Sequence, residues 1–270
     1  LNNNGVIAID MDENKEYVIL GKGVGFGKKV SQRFDKPEGC TTYRLEQETE
    51  RGSAKELVKG IEPEYLEIAD AILTESQKVF GDSIDRGILF PLADHISFAV
   101  ARIRRNEQIS NPLTEDIKVL FYSEFKVAET LKTILRERLQ IEIDDHEVGY
   151  VALHIHSAIG DEKVSVAMQT ARAVRECIDM IEKATGKPID VLSLSYNRLM
   201  NHMKYMVARA STGEKLNLDM NEYMLDQYPQ AYKVATDICK NLEGCIGHKL
   251  DETETGYLAM HIQRVYKDAV

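Results

Sequence analysis

The sequence has no tryptophan, only six prolines in 270 residues, and four cysteines. Cys40, Cys177, Cys239 and Cys245 show neither CxxC spacing nor the density of a small secreted scaffold, which predicts reduced thiols in a cytoplasmic protein rather than a disulfide framework. No apolar run reaches the roughly 20 residues that cross a bilayer, and no signal-peptide pattern opens the chain. Its first residue is Leu1 rather than Met, so part of the native N-terminus is expected to be missing. What the chain has is 43% hydrophobic and 29% charged residues, a mixture that excludes long disorder and suits a soluble, helix-rich protein of two or three domains.

Charge is uneven. The net charge is −10, yet residues 15–36 hold six basic side chains (Lys15, Lys22, Lys28, Lys29, Arg33, Lys36) against Glu16 and Asp35. A basic segment on an acidic protein suits an anionic partner, although a solvated loop with scattered lysines would look the same. Before residue 60 the apolar pattern has period two. Residues 6–10 and 17–20 read as strands around the polar turn 12–15, and glycines at 21, 23, 25 and 27 let the backbone bend after them. Residues 46–60 read as a linker. Beyond residue 62 the period becomes 3.6, with Pro63 opening a helix whose apolar face is Ile68, Ile72, Val79 and Phe80.

An internal repeat dominates the helical part. Asp144–Ile155 reads DDHEVGYVALHI and Asp251–Ile262 reads DETETGYLAMHI, with seven of twelve positions identical and His261 lying 107 residues after His154. The same offset aligns LADHISFAVAR (92–102) with LMNHMKYMVAR (199–209), and FYSEFKVAETL (121–131) with YPQAYKVATDI (228–238). The period is too long for a solenoid and implies two duplicated helical domains. Each copy carries two histidines, His95 with His154 and His202 with His261. At helical spacing Arg102 and Arg209 follow the first of each pair, while Glu147–Tyr150 and Glu254–Tyr257 precede the second. A single buried histidine usually ties helices together; four in two matched pairs suggest chemistry.

Three chemistries are open to these residues. Asp94, His95 and His154 could serve a metal-dependent phosphohydrolase, but Asn201 replaces the aspartate in the second copy. Nucleophilic hydrolysis lacks a GxSxG elbow, and GKGVGFGKK is not a P-loop. Phosphoryl acceptance by a neutral imidazole, with Asp94, Arg102 and Arg209 in support, needs no metal and fits the residues present.

LNNNGVIAID, GKGVGFGKK and the twin LADHI/LMNHM and GYVALHI/GYLAMHI motifs together resemble the BglG/SacY/LicT family of transcriptional antiterminators, over essentially the whole chain and with wording most similar to the glucose-type (GlcT-like) branch. The resemblance implies a multidomain fold: a small all-β co-antiterminator RNA-binding domain at 1–55, then two all-α helical-bundle regulation domains of the phosphotransferase system at 56–165 and 166–270. It implies a cytoplasmic homodimer that grips an RNA hairpin through Asn2, Asn4, Gly21, Lys22 and Phe26 and prevents termination in a sugar-utilisation operon. It further implies phosphorylation of His95, His154, His202 and His261 by HPr and a sugar-specific enzyme II. No cofactor, membrane insertion, DNA binding or enzymatic activity is expected. Amides that can read base edges, a lysine for phosphate and an aromatic for stacking make physical sense of the RNA set.

Overall fold

The computed structural model describes residues 1–11, 15–29, 32–45, 48–49, 52–53, 58, 60–107, 109–160, 163–186, 188–190 and 193–268. It divides into two compact units. The first comprises Leu1–Asn111 with Ser123–Val164, and the second Pro112–Tyr122 with Ser165–Val270.

The first unit opens with an antiparallel sheet of order β1–β2–β3, formed by β1 (Gly5–Asp10), β2 (Lys15–Leu20) and β3 (Thr41–Arg44). Val6 pairs with Ile19 and Val18 with Tyr43, as the alternation of β-branched residues requires. Val18, Leu20, Val24, Tyr43 and Leu45 are buried, whereas Ile7, Ile9 and Met11 leave an exposed apolar row on β1. Three of the four residues expected in the turn 12–15, Asp12, Glu13 and Asn14, lie outside the described residues, and Lys15 begins β2. The expected linker at 46–60 falls largely outside them too; what is described there includes a two-stranded pairing of β4 (Glu48–Thr49) with β5 (Gly52–Ser53).

Helices follow, as the 3.6 period requires. In the first unit α1 (Pro63–Phe80) starts on its proline, and α2 (Leu89–Arg104), α4 (Tyr122–Ala128, from Ser123), α5 (Thr130–Leu139) and α6 (Asp145–Gly160) pack around Leu66, Ile72, Phe90, Ile96, Phe125, Leu135 and Val151. The expected face of α1 is only partly right. Ile68 and Ile72 are buried, but Val79 is 59% exposed, because the buried stripe runs through Leu73 and Ser76 instead. Ser76 is tolerated there because its hydroxyl donates to the Ile72 carbonyl.

The second unit contains α3 (Thr114–Leu120), α7 (Val164–Thr185, from Ser165), α8 (Leu194–Thr212), α9 (Asn221–Gln227), α10 (Pro229–Ile246) and α11 (Thr253–Asp268). Ile117, Val174, Ile178, Tyr196, Met203, Ile238, Leu242, Leu258 and Ile262 form its core, and the Tyr196 hydroxyl is satisfied by Asp116 at 3.2 Å. Gly256 lets α11 meet the start of α9. A Cβ there would stand 2.6 Å from the Asn221 nitrogen, so no larger residue fits. Among the described residues no helix is long and apolar enough to cross a membrane.

Candidate functional site

Two places gather the residues singled out by sequence. The first is the loop before β1. Its three asparagines interlock with the glycine-rich segment after β2: Gly21 N donates to Asn4 O at 2.9 Å, Gly25 N to Asn3 O at 2.9 Å, and Gly23 N to the Asn4 side-chain Oδ1 at 3.0 Å. Asn2 Oδ1 accepts from Asn4 N at 2.9 Å. At Gly25 any Cβ would overlap the Asn2 carbonyl oxygen, so the two segments can lie this close only with glycine there. Lys22 is exposed and the Phe26 ring is 74% exposed, with no core to fill.

With both side-chain oxygens engaged inside the loop, the amide nitrogens of Asn2 and Asn4 turn toward α1. Each is met by the same carboxylate: Asn2 Nδ2 donates to Glu67 Oε1 at 2.9 Å and Asn4 Nδ2 to Glu67 Oε2 at 3.2 Å. A second anchor lies further along α1, where Arg86 donates to Asp70 and to the Tyr43 hydroxyl, both at 2.7 Å, and Tyr43 donates to Asp70. Burial and the Asp70 carboxylate push the Tyr43 hydroxyl's pKa up, keeping it a donor. Sequence gave no sign of Glu67, Asp70, Tyr43 or Arg86, since each partner lies far away in the chain.

The second place occurs twice, once in each unit. In the first, α2 carries His95 and Arg102 and α6 carries Glu147, Tyr150 and His154. The rings of His95 and His154 are 5.3 Å apart, and Tyr150 lies 5.7 Å from His95. Arg102 donates to Glu147 Oε1 at 2.8 Å, while Glu147 Oε2 stands 3.5 Å from His95 Nε2. Burial pushes the Glu147 carboxyl's pKa up, but His95 and Arg102 outweigh it and hold it below the usual carboxylate range. In the second unit α8 carries His202 and Arg209, and α11 carries Glu254, Tyr257 and His261. Here His202 and His261 stack at 4.9 Å with Tyr257 at 5.0 Å. Arg209 grips Glu254 with two bonds, at 2.6 and 3.0 Å, and Glu254 Oε2 lies 3.7 Å from His202 Nε2.

Four of the expected residues are thus gathered as ring pairs, and both arginines sit beside them. Asp94 is half-buried next to His95, and its counterpart Asn201 is exposed. Glu147 and Glu254, identical in the two copies of the repeat, are the residues through which each arginine meets an imidazole pair, and that identity is the signal sequence holds for them. His156, outside the pairs, bonds Glu124 at 2.9 Å, and His146 and His248 lie elsewhere. Among the described residues no group of three or more His, Cys, Asp or Glu is arranged to hold a metal ion.

Burial holds His202 down to about 3, with His261 and Arg209 adding to it, and burial with Arg264 and Arg198 holds His261 down to about 4. Both rings are therefore neutral at pH 7. Unfolded histidine titrates near 6.5, so as pH falls below that value the unfolded chain binds protons the folded unit refuses. Stability present at pH 7 should fall by about 1 kcal/mol per ring between pH 7 and 5.5. Urea unfolding of the second unit at the two pH values measures this, and His202→Phe should remove part of the dependence.

Comparison with known proteins decides the family. Residues 1–52 match the CAT RNA binding domain, and 70–158 and 175–265 each match the PRD domain. The chain belongs to the CAT–PRD family. It is 30% identical to the GlcA/glcB genes antiterminator of Staphylococcus carnosus (strain TM300) across 97% of this chain and 92% of that one. It is 27% identical to the transcription antiterminator LicT of Bacillus subtilis (strain 168), across 99% and 98%. Among solved structures, the GlcT CAT-PRDI crystal structure superposes with a TM-score of 0.51 at 28% identity, covering 59% of this chain and 95% of that one. The asparagine loop lies in the CAT match and both imidazole pairs lie in the PRD matches, so the fold expected from sequence, strands first and paired helical domains after, is the CAT–PRD arrangement.

Proposed function

We propose that this CAT–PRD chain is a transcription antiterminator, in which residues 1–55 hold an RNA hairpin and regulation domains at 56–165 and 166–270 set when they do so. The observation that carries this is one chain holding both a largely exposed asparagine loop and two copies of a buried imidazole pair. Asn2, Asn4, Gly21, Lys22 and Phe26 form the RNA face: amides for base edges, lysine for phosphate, backbone at Gly21 for close approach and Phe26 for stacking on an unpaired base. The chain acts in the cytoplasm on nascent RNA as a homodimer, for which the exposed row Ile7, Ile9 and Met11 offers an apolar face that a second copy would cover. HPr and a sugar-specific enzyme II donate phosphoryl groups to His95, His154, His202 and His261. Up to about two added negative charges in a helix–helix contact shift the balance between dimer arrangements.

Gel-shift titration of the full chain on the leader hairpin, before and after phosphorylation, tests this. Affinity should fall as salt rises and change on phosphorylation, and the His95→Ala/His154→Ala variant should lose part of that change. Equal affinity in every arm refutes the proposal. The bonds from Asn2 and Asn4 to Glu67 add an expectation. RNA has to displace that carboxylate, so Glu67→Gln should bind the hairpin severalfold more tightly than Glu75→Gln, which removes the same charge elsewhere on α1.

A further inference from the structure

Both copies of the imidazole site share a detail that a merely structural histidine would not need. The Nε2 atoms of His95 and His202 are buried without a hydrogen-bond partner, and each faces a glutamate oxygen, at 3.5 and 3.7 Å. Those glutamate side chains are 4% and 1% exposed, and an arginine holds each in place. A neutral imidazole carries its proton on one nitrogen and a lone pair on the other. Turned toward an ionised carboxylate, an N–H is attracted and a lone pair is repelled, so the proton belongs on Nε2. The nucleophilic lone pair then lies on Nδ1, on the opposite side of the ring from the carboxylate.

We propose that Glu147 and Glu254, each held by its arginine, are positioning residues that fix the tautomer of His95 and His202 and so make Nδ1 the phosphoryl acceptor in both domains. The inference rests on the proposed role of these histidines in phosphoryl transfer. With a protein phosphohistidine as donor the step balances. The Nδ1 lone pair forms the new N–P bond, the donor's N–P bond breaks, and its electron pair stays on the donor nitrogen. A donor ring protonated on its other nitrogen leaves as neutral imidazole. The acceptor ring gains the positive charge, with its proton still on Nε2 and aimed at the glutamate, which stabilises the phosphorylated ring much as a carboxylate stabilises an imidazolium. Arginine holds that carboxylate in register before the donor arrives.

The conformity of the two copies supports this. Arg102 binds Glu147 through one nitrogen and Arg209 binds Glu254 through two, yet the carboxylate-to-Nε2 placement is nearly the same. The second histidines differ. Nδ1 of His261 is the sealed and unpartnered nitrogen, so the assignment is confined to His95 and His202.

Nitrogen-15 spectra of the full chain labelled at histidine, recorded before and after loading by phosphorylated HPr, test it. The unphosphorylated chain should show the Nε2–H tautomer at His95 and His202, and phosphorus should couple to Nδ1 afterwards. Glu147→Gln should erase the tautomer preference at His95 and slow its loading at least 10-fold, with His202 in the same molecule unchanged and Glu147→Asp partly restored. An Nδ1–H tautomer in the parent, or phosphorus on Nε2, overturns the inference. Should Glu147→Gln fail to fold, the parent tautomer decides alone. Should no histidine accept phosphoryl while the tautomers are as expected, the regulatory proposal fails and the tautomer assignment stands.

Discussion

Replacing Arg209 with alanine should destabilise the second unit by about 3–5 kcal/mol, among the largest losses a single substitution here can give. The Glu254 side chain is 1% exposed and draws both of its short bonds from Arg209, at 2.6 and 3.0 Å. Removing the guanidinium leaves a carboxylate in the core facing an imidazole that is itself held neutral. Adding Glu254→Gln to Arg209→Ala should recover much of the loss, because the stranded charge is gone. Arg102→Ala should cost less. Arg102 is 25% exposed at its side chain and makes a single bond to Glu147, so water can partly replace it. Thermal or urea unfolding of the three variants checks the order, and equal losses for Arg102 and Arg209 would contradict it.

Substitutions in the glycine loop should act on RNA with little change in the helices. Phe26→Ala removes an exposed ring whose stacking on a base contributes about 1–3 kcal/mol, so hairpin affinity should fall roughly 5- to 150-fold with the thermal transition unchanged. Gly25→Ala should be worse. Its methyl group would collide with the Asn2 carbonyl, breaking the seat on which Asn2, Asn3 and Asn4 are ordered. The variant should lose hairpin binding altogether, and the sheet should melt earlier, because Gly21, Gly23 and Gly25 all bond that same loop. Filter binding at one fixed salt concentration, with circular dichroism alongside, separates the two effects. Parental affinity in either variant would place the RNA face elsewhere.

The repeat and the strands were legible because they rest on local periodicity and on self-similarity, both properties of the string. Alternation at 6–10 and 17–20 gave β1 and β2, and the 107-residue offset gave α2 with α8 and α6 with α11. Pairings across the fold were not legible. Arg102 and Glu147 are separated by 45 residues, as are Arg209 and Glu254, and only helix packing brings each pair together. The duplicated glutamate and arginine were both visible, but not that they meet. Val79 was misplaced because a moderately apolar end of α1 follows the helical period without having a neighbour to bury it. Residues 112–122 belong to the first copy of the repeat in sequence yet pack within the second unit, through contacts such as Asp116 with Tyr196, which no periodicity encodes.

Gly256 lies one turn and a half before His261 on α11, and its missing side chain seats that helix directly on the backbone of Met220 and Asn221. A rod resting backbone on backbone at one end has almost no freedom to slide lengthwise there, since any travel meets a main-chain atom rather than a yielding side chain. A push from the stacked rings of His202 and His261 is therefore opposed at that end by main-chain atoms, which cannot yield as a side chain does.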